Sequence, residues 1–281
     1  MPDLIWSICP HAESDTVKRV TAYAHHCLAN GVSEGPATDA ARDGLPLGVS
    51  DGVATVRLMG PMMRRAGQIA EKYFGIAGTD STRLAMQAAN ADPDVDQILL
   101  RIDSPGGSVD GLDQLGETVA TSSKPVTAVV DGMAASAAYY VASQADRIIA
   151  GRNDMVGSIG VRMMLYDFSA AFEKDGIEAV PIDTGKFKSA GAMGTKITDE
   201  QRADFQRVVD YYFADFVKAV SNGRGMSAEA VRAVADGRMF TQPEALANGL
   251  IDGVGTYQSV LGELRSQRAQ RTGTARARLR L

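Results

Sequence analysis

The sequence predicts an α/β fold, with βαβ units around a mainly parallel sheet and further helices toward the C-terminal end. Three observations carry this. Runs such as "ILLRI" and "PVTAVV" are apolar almost without interruption, as strands buried on both faces are. Helical segments of about ten residues separate them, enough for the crossover that parallel neighbours need. The chain has 281 residues, 45% of them hydrophobic, so it can bury one large core or two small ones.

Residues 12–30, "AESDTVKRVTAYAHHCLAN", read as a helix closed by Gly31, and 31–50 read as a Gly/Pro/Ala/Asp-rich linker. Residues 1–50 are thus an N-terminal helix and linker, and 51–262 the main domain. "GVATVRLMG" is its first strand. "STRLAMQAANAD" (helix) and "VDQILLRID" (strand) follow, then "VDGLDQLGETVATS" (helix) and "KPVTAVVDG" (strand). "SAAYYVASQAD" is a helix and "RIIAG" a strand. "GSIGVRMMLYD" is extended, "FSAAFEKDG" helical and "IEAVPID" a strand. Thr198 to Val220 is the clearest helix. Phe205, Val208, Val209, Tyr212, Phe216 and Val220 share one face, Thr198 with Gln201 forms a capping box, and Gly223 serves as a stop. "SAEAVRAVADG" and "QPEALANG" are shorter helices. The tail, 263–281, holds six arginines from Arg265 onward and no acid after them, leaving −11 on residues 1–264 out of a net −5. Without sustained apolar periodicity it is predicted to be disordered.

Several function classes are disfavoured. The acidic balance gives no reason to expect nucleic-acid binding. No run of about 18 apolar residues occurs, and "MPDLIWSICPHAESD" lacks the basic start of a signal peptide. No membrane anchor and a cytoplasmic location are therefore expected. Cys9, Cys27, His11, His25 and His26 cluster near the start but fit no standard zinc spacing, so neither metal nor cofactor is expected.

In a parallel sheet, ligands gather at the carboxyl ends of the strands, and three informative segments fall there. In "DSPGGSVDG", Gly106 and Gly107 open a turn whose N–H groups can converge on a developing oxyanion, although a plain strand-to-helix turn would read the same. In "DGMAASAAYY", Ser136 sits where a helix begins. That suits a nucleophile, and it equally suits a helix cap. All the histidines lie before residue 27, so the remaining common base is a lysine. To accept a proton it must be neutral, about 3 pKa units below its reference near 10.4. "DTGKFKSAGAMG" offers Lys186 and Lys188, either of which an ordinary solvated lysine would explain as well.

"DSPGGSV", "MAASAAYYVAS", "GSIGV", "GKFKSAG" and "DGRMFTQPEALANGLIDGVGT" stand in the order and context of the signal peptide peptidase A family of serine–lysine peptidases, which this chain resembles over about residues 50–260. The resemblance implies a ClpP/crotonase-like fold and serine-type endopeptidase activity. It implies Ser136 as nucleophile, Lys188 as base, Ser158 as the residue orienting that lysine, and the N–H groups of Gly107 and Ser136 as the oxyanion hole. Gly106, Ala135 and Ala137 would face the substrate. Alanines in this region favour small or apolar substrate residues. Family members often carry two glycines after the nucleophile; Ala137–Ala138 stand here and would narrow the pocket. The resemblance also implies a homo-oligomer in which one protomer's serine meets its neighbour's lysine. Its soluble phage branch cleaves scaffold or capsid proteins in the host cytoplasm during prohead maturation, whereas cellular members digest signal peptides. Outside the peptidases, the alternatives are a crotonase-like acyl-CoA enzyme and a non-catalytic assembly protein.

Overall fold

The apolar runs become the central strands of an eight-stranded sheet. The computed structural model describes residues 5–6, 44–67, 70–71 and 74–278, so the helix predicted over 12–30 and the Cys/His cluster lie outside the described residues. Strands β3 (Val53–Met59), β6 (Gln97–Ser104) and β7 (Val126–Ala135) pair in parallel. Ile98, Leu99 and Leu100 are consecutive and all buried, so both faces of the sheet are covered. Ile98, Leu100 and Ile102 pack with Ala85, Met86 and Ala89 of α1 (Thr79–Ala91) and Leu112, Leu115 and Val119 of α2 (Leu112–Ala120). Leu99 faces the other way, joining Val53, Val129 and Ile149 against Val260, Leu261 and Leu264 of the C-terminal helix. Alternation along each strand thus divides the apolar side chains between two layers of helix.

Strand β2 (Leu47–Ser50) adds antiparallel to β3, so the end of the predicted linker is an edge strand. Strands β8 (Arg147–Ala150) and β9 (Met155–Gly157) both pair in parallel with β7, one after the other along its length. β11 (Met239–Thr241) is antiparallel to β9, and β12 (Gly253–Val254) parallel to β8. Two small ladders stand apart: β4 (Met62–Met63) with β5 (Ala77–Gly78), and β1 (Ile5–Trp6) with β10 (Val161–Arg162). Helices α3 (Ala137–Ala142), α4 (Ser169–Lys174), α5 (Asp199–Arg224), α6 (Ala228–Ala233), α7 (Gln242–Ala247) and α8 (Tyr257–Arg278) complete the fold.

Three expectations are corrected. The long helix starts on its Thr198–Gln201 capping box but runs through Gly223 and stops at Gly225, whose φ is 63°. Gly223 stays helical because it presses on the α3 end: a Cβ there would sit 1.9 Å from the Ser143 carbonyl oxygen. "IEAVPID" forms no strand; no neighbouring edge receives it, and Ile182 is 96% exposed. The basic tail, expected to be disordered, continues as α8 to Arg278. Anchors hold its first part: the Gln97 side chain donates to the Leu264 carbonyl at 2.7 Å, and Arg265 and Arg268 pair with Asp51 and Asp96 at 3.2 and 2.6 Å. Those carboxylates lie at the amino ends of β3 and β6, so the first two arginines of the tail are matched locally.

Candidate active site

At the carboxyl end of β7 the chain turns sharply into α3, and Ser136 occupies the turn with φ 52° and ψ −122°. A residue with a Cβ rarely adopts such a conformation, which costs about 1–3 kcal/mol and persists only where packing enforces it. Here the enforcement is visible. The Ser136 N–H donates to the Gly157 carbonyl at 2.8 Å, extending the β7–β9 pairing by one residue. Its own carbonyl accepts the Tyr140 N–H at 2.9 Å. Ala137 and Ala138 are fully buried in the main core.

The side chain decides between a cap and a nucleophile. Ser136 stands at the helix-cap position yet makes no capping hydrogen bond. Its Oγ is buried and has no hydrogen-bond partner among the described residues. A cap is therefore not what this serine is for. A buried hydroxyl without a partner costs about 1–3 kcal/mol, and here that cost falls on the same residue as the backbone strain.

The "DSPGG" turn lies against this residue. A Cβ on Gly106 would sit 2.8 Å from the Ser136 Cβ and 2.9 Å from the Ala137 nitrogen. One on Gly107 would sit 2.0 Å from the Met62 carbonyl oxygen. Both positions therefore require glycine, because backbone packs on backbone. Ser104 ties the turn down, donating to the Gly60 carbonyl at 2.6 Å and accepting the Gly106 N–H at 3.2 Å. The expected oxyanion pair needs one correction. The Ser136 N–H is already spent on Gly157, whereas the N–H groups of Gly107 and Ala137 find no acceptor among the described residues. The sequence could have shown this, since the first N–H groups of a helix lack intrahelical acceptors.

Ser158 is brought to the same place. Gly157, with φ 126°, carries the carbonyl that holds Ser136, and Ser158 follows in the left-handed region at φ 51°. The Ser158 N–H donates to the Arg238 carbonyl at 2.8 Å and the Gly237 N–H to the Ile159 carbonyl at 3.2 Å. The "DGRMF" segment thus buttresses "GSIG". Ala135 and Ala137, expected to face the substrate, have wholly buried side chains and give the site only backbone.

Lys188 is not brought to Ser136. It is exposed, in the stretch between β10 and α5 where most residues face solvent. Lys186 pairs with Glu200 on the surface. No group of three or more His, Cys, Asp or Glu that could hold a metal occurs among the described residues.

The family model for Peptidase family S49 matches residues 119–271, and that for Clp protease matches residues 77–152, the stretch from β5 to just past β8. The sheet and its flanking helices are accordingly of the ClpP/crotonase-like α/β class. A protein of Methanocaldococcus jannaschii provisionally named a protease is 37% identical over 62% of this chain and 56% of its own. Protease 4 of Haemophilus influenzae is 31% identical over 71% of this chain and 33% of its own. Capsid assembly protease C of Escherichia phage lambda is 31% identical over 85% of this chain and 54% of its own. The chain thus spans between a third and just over half the length of these curated relatives.

Proposed function

This chain belongs to peptidase family S49, and on that premise we propose that it is a serine endopeptidase with Ser136 as nucleophile and Lys188 as general base. The observation that carries the reading is the strained, buried Ser136, whose hydroxyl is idle beside two N–H groups without acceptors. The Ser136 hydroxyl attacks the scissile carbonyl while the neutral Lys188 Nζ takes its proton. The carbonyl oxygen, now anionic, receives the N–H groups of Gly107 and Ala137. The adduct collapses to an acyl-enzyme as the lysine hands its proton to the leaving amine. Water, activated by the same amine, then releases the acid and restores the serine.

Lys188 reaches the site from a neighbouring copy of the chain. Two things support this: its exposure, and the apolar residues around it that face solvent in the single chain, Val180, Ile182 and Met193 among them. An amine covered by a second protomer also loses its proton more readily than one in water. The substrate is a peptide with small or apolar residues at the cut, and the setting is phage head assembly, with scaffold or capsid proteins as substrates. The match to the phage lambda protease supports that setting, because it covers 85% of this chain. The match to Protease 4 favours a second reading, digestion of signal or membrane peptides, although no helix among the described residues is long and apolar enough to cross a membrane. Portal and capsid genes beside the reading frame would support the first setting, and secretion genes the second.

A fluorophosphonate probe tests the chemistry. The wild-type protein should gain one adduct per chain, on Ser136, and lose peptidase activity in step. Ser136→Ala should gain none and retain at most about a thousandth of the activity, with an unchanged circular dichroism spectrum. Peptide hydrolysis surviving in Ser136→Ala would overturn the assignment.

A further inference from the structure

Between Val130 and Ala134, β7 spends four residues where β6 spends two, from Ile102 to Ser104. The two extra residues lie within Asp131–Gly132–Met133, a bulge that falls where β7 changes partner from β8 to β9. Three residues later comes Ser136. A bulge bends its strand and leaves backbone groups that the ladder cannot serve. Here two carboxylates serve them. The Gly132 N–H donates to Asp154 Oδ1 at 3.0 Å, and the Met133 N–H to Asp103 Oδ1 at 3.2 Å. Asp154 Oδ2 also accepts the Gly151 N–H at 2.6 Å, which ties the β8–β9 loop to the bulge. Gly132, with φ 129°, must lack a side chain, since a Cβ would sit 2.5 Å from Asp103 Oδ1.

We propose that Asp103 and Asp154 are positioning residues for the nucleophile, holding the β7 bulge that aims Ser136 at the Gly107 and Ala137 N–H groups. This rests on the peptidase reading above. Packing alone does not account for the pair. Burial, with the charges of Asp131 and Asp154 adding to it, pushes the Asp103 carboxyl above the usual range despite the Met133 hydrogen bond and nearby Arg101. A group kept at that cost is explained by the backbone it holds. Asp131 is used differently: it pairs with Arg101, whose guanidinium lies 4.4 Å from the centre of the Tyr257 ring.

The two acceptors differ in a way that a test can use. Asp103 receives one backbone N–H, through one oxygen, so Asp103→Asn can still accept it and sheds a charge crowded by two other carboxylates. Asp154 receives two N–H groups, one on each oxygen, so Asp154→Asn must lose one. Asp103→Ala loses its acceptor outright. Displacing a reacting group by about 1 Å can cost about a hundredfold. In folded oligomer, fluorophosphonate labelling and kcat should therefore fall about ten- to a hundredfold in Asp103→Ala and Asp154→Asn, with KM within about threefold. Asp103→Asn should stay within about threefold of wild type and melt no lower. Hydrogen exchange over residues 131–136 should quicken in the two damaged variants and not in Asp103→Asn. Wild-type labelling and kcat in folded Asp103→Ala and Asp154→Asn would overturn the proposal. So would an Asp103→Asn variant as damaged as Asp103→Ala, since that would make the charge the requirement and not the acceptor. Should wild type itself prove inert toward probe and peptide, the peptidase reading falls, and hydrogen exchange alone decides whether the carboxylates hold the Ser136 turn.

Discussion

The two halves of the proposed site differ in how the chain supports them. Around Ser136 the residues of the turn are buried, the backbone is held in positive-φ conformations at four residues (Gly106, Ser136, Gly157 and Ser158), and backbone hydrogen bonds fix the turn while leaving the hydroxyl and two N–H groups without partners among the described residues. Around Lys188 the chain has no core of its own. From Met164 to Met193 it exposes large apolar side chains one after another, with Ile182 at 96% and Val180 and Met193 at 70%. One half is held by the chain's own core, and the other exposes apolar side chains that a second protomer would cover in the proposed assembly. A strained nucleophile needs a scaffold that over-determines it. A lysine base needs the reverse in the free chain, because covering it permanently within one protomer would carry a desolvation cost without a substrate.

The largest effect should come from uncoupling the halves. Lys188→Arg should be nearly as inactive as Lys188→Ala, about a thousandfold down, because guanidinium keeps its proton at any working pH. Lys186→Ala should stay within about fivefold of wild type, since an exposed pair with Glu200 is worth little. Mixing Ser136→Ala with Lys188→Ala after dissociation and reassembly should recover part of the activity, as some junctions then join an intact serine to an intact lysine. Demonstrated mixing with no recovery would place both residues in one protomer.

A smaller effect should follow from the exposed apolar residues themselves. Ile182→Asp, or Val180→Asp, should lower activity at least tenfold by burying an unpaired carboxylate at the junction, and should shift the assembly toward smaller species in sedimentation. The circular dichroism of each protomer should not change, because neither side chain enters its core. An intact assembly with wild-type turnover would show that this stretch is not the seam.

Much of the rigid half was legible in the sequence. Buried strands read as unbroken apolar runs, and Ser136 was placed at the strand-to-helix turn by its small neighbours. Composition could not choose between cap and nucleophile, because that depends on whether Oγ meets a partner, which is a matter of three-dimensional neighbours. The Ser136 N–H was misjudged as free for a related reason: it is consumed by β9, a pairing no local pattern announces. "IEAVPID" misled because an apolar run signals burial without saying against what. The Asp103 and Asp154 contacts were invisible, since a β-bulge shows only in the register between two strands. Likewise, Arg265 and Arg268 of α8 read as part of a solvated tail in the sequence, because their partners Asp51 and Asp96 lie far away along the chain.

The smallest effect on turnover, and a measurable one on stability, should come from the clamp between α5 and the strand region behind Ser136. Arg224 is almost buried, its side chain 7% exposed, and it donates to both Asp252 oxygens, at 3.0 and 2.5 Å, and to the Gly249 carbonyl at 3.1 Å. Asp252 also accepts the Ile148 N–H at 2.7 Å. Desolvation pushes the Asp252 carboxyl upward, but the Arg224 and Ile148 hydrogen bonds and the nearby arginine charges outweigh it and hold the group below its ordinary range. A carboxyl depressed on folding stabilises the protein above its unfolded pKa, near 3.9, and that contribution is lost as pH falls through the lower folded value. Asp252→Asn should therefore cost about 1–3 kcal/mol at pH 7, leaving Arg224 without its counter-charge, and lower the melting temperature by several degrees. Below about pH 3 the gap to wild type should shrink, because the wild-type carboxyl is then protonating as well. Turnover at pH 7, well below the melting temperature, should change less than about twofold, since the clamp supports α5 and touches neither Ser136 nor the Gly107 turn. Thermal melts of both proteins from about pH 1.5 to 8 check this: a gap that stays constant across that whole range would mean that the hydrogen bonds, and not the ion pair, carry the clamp.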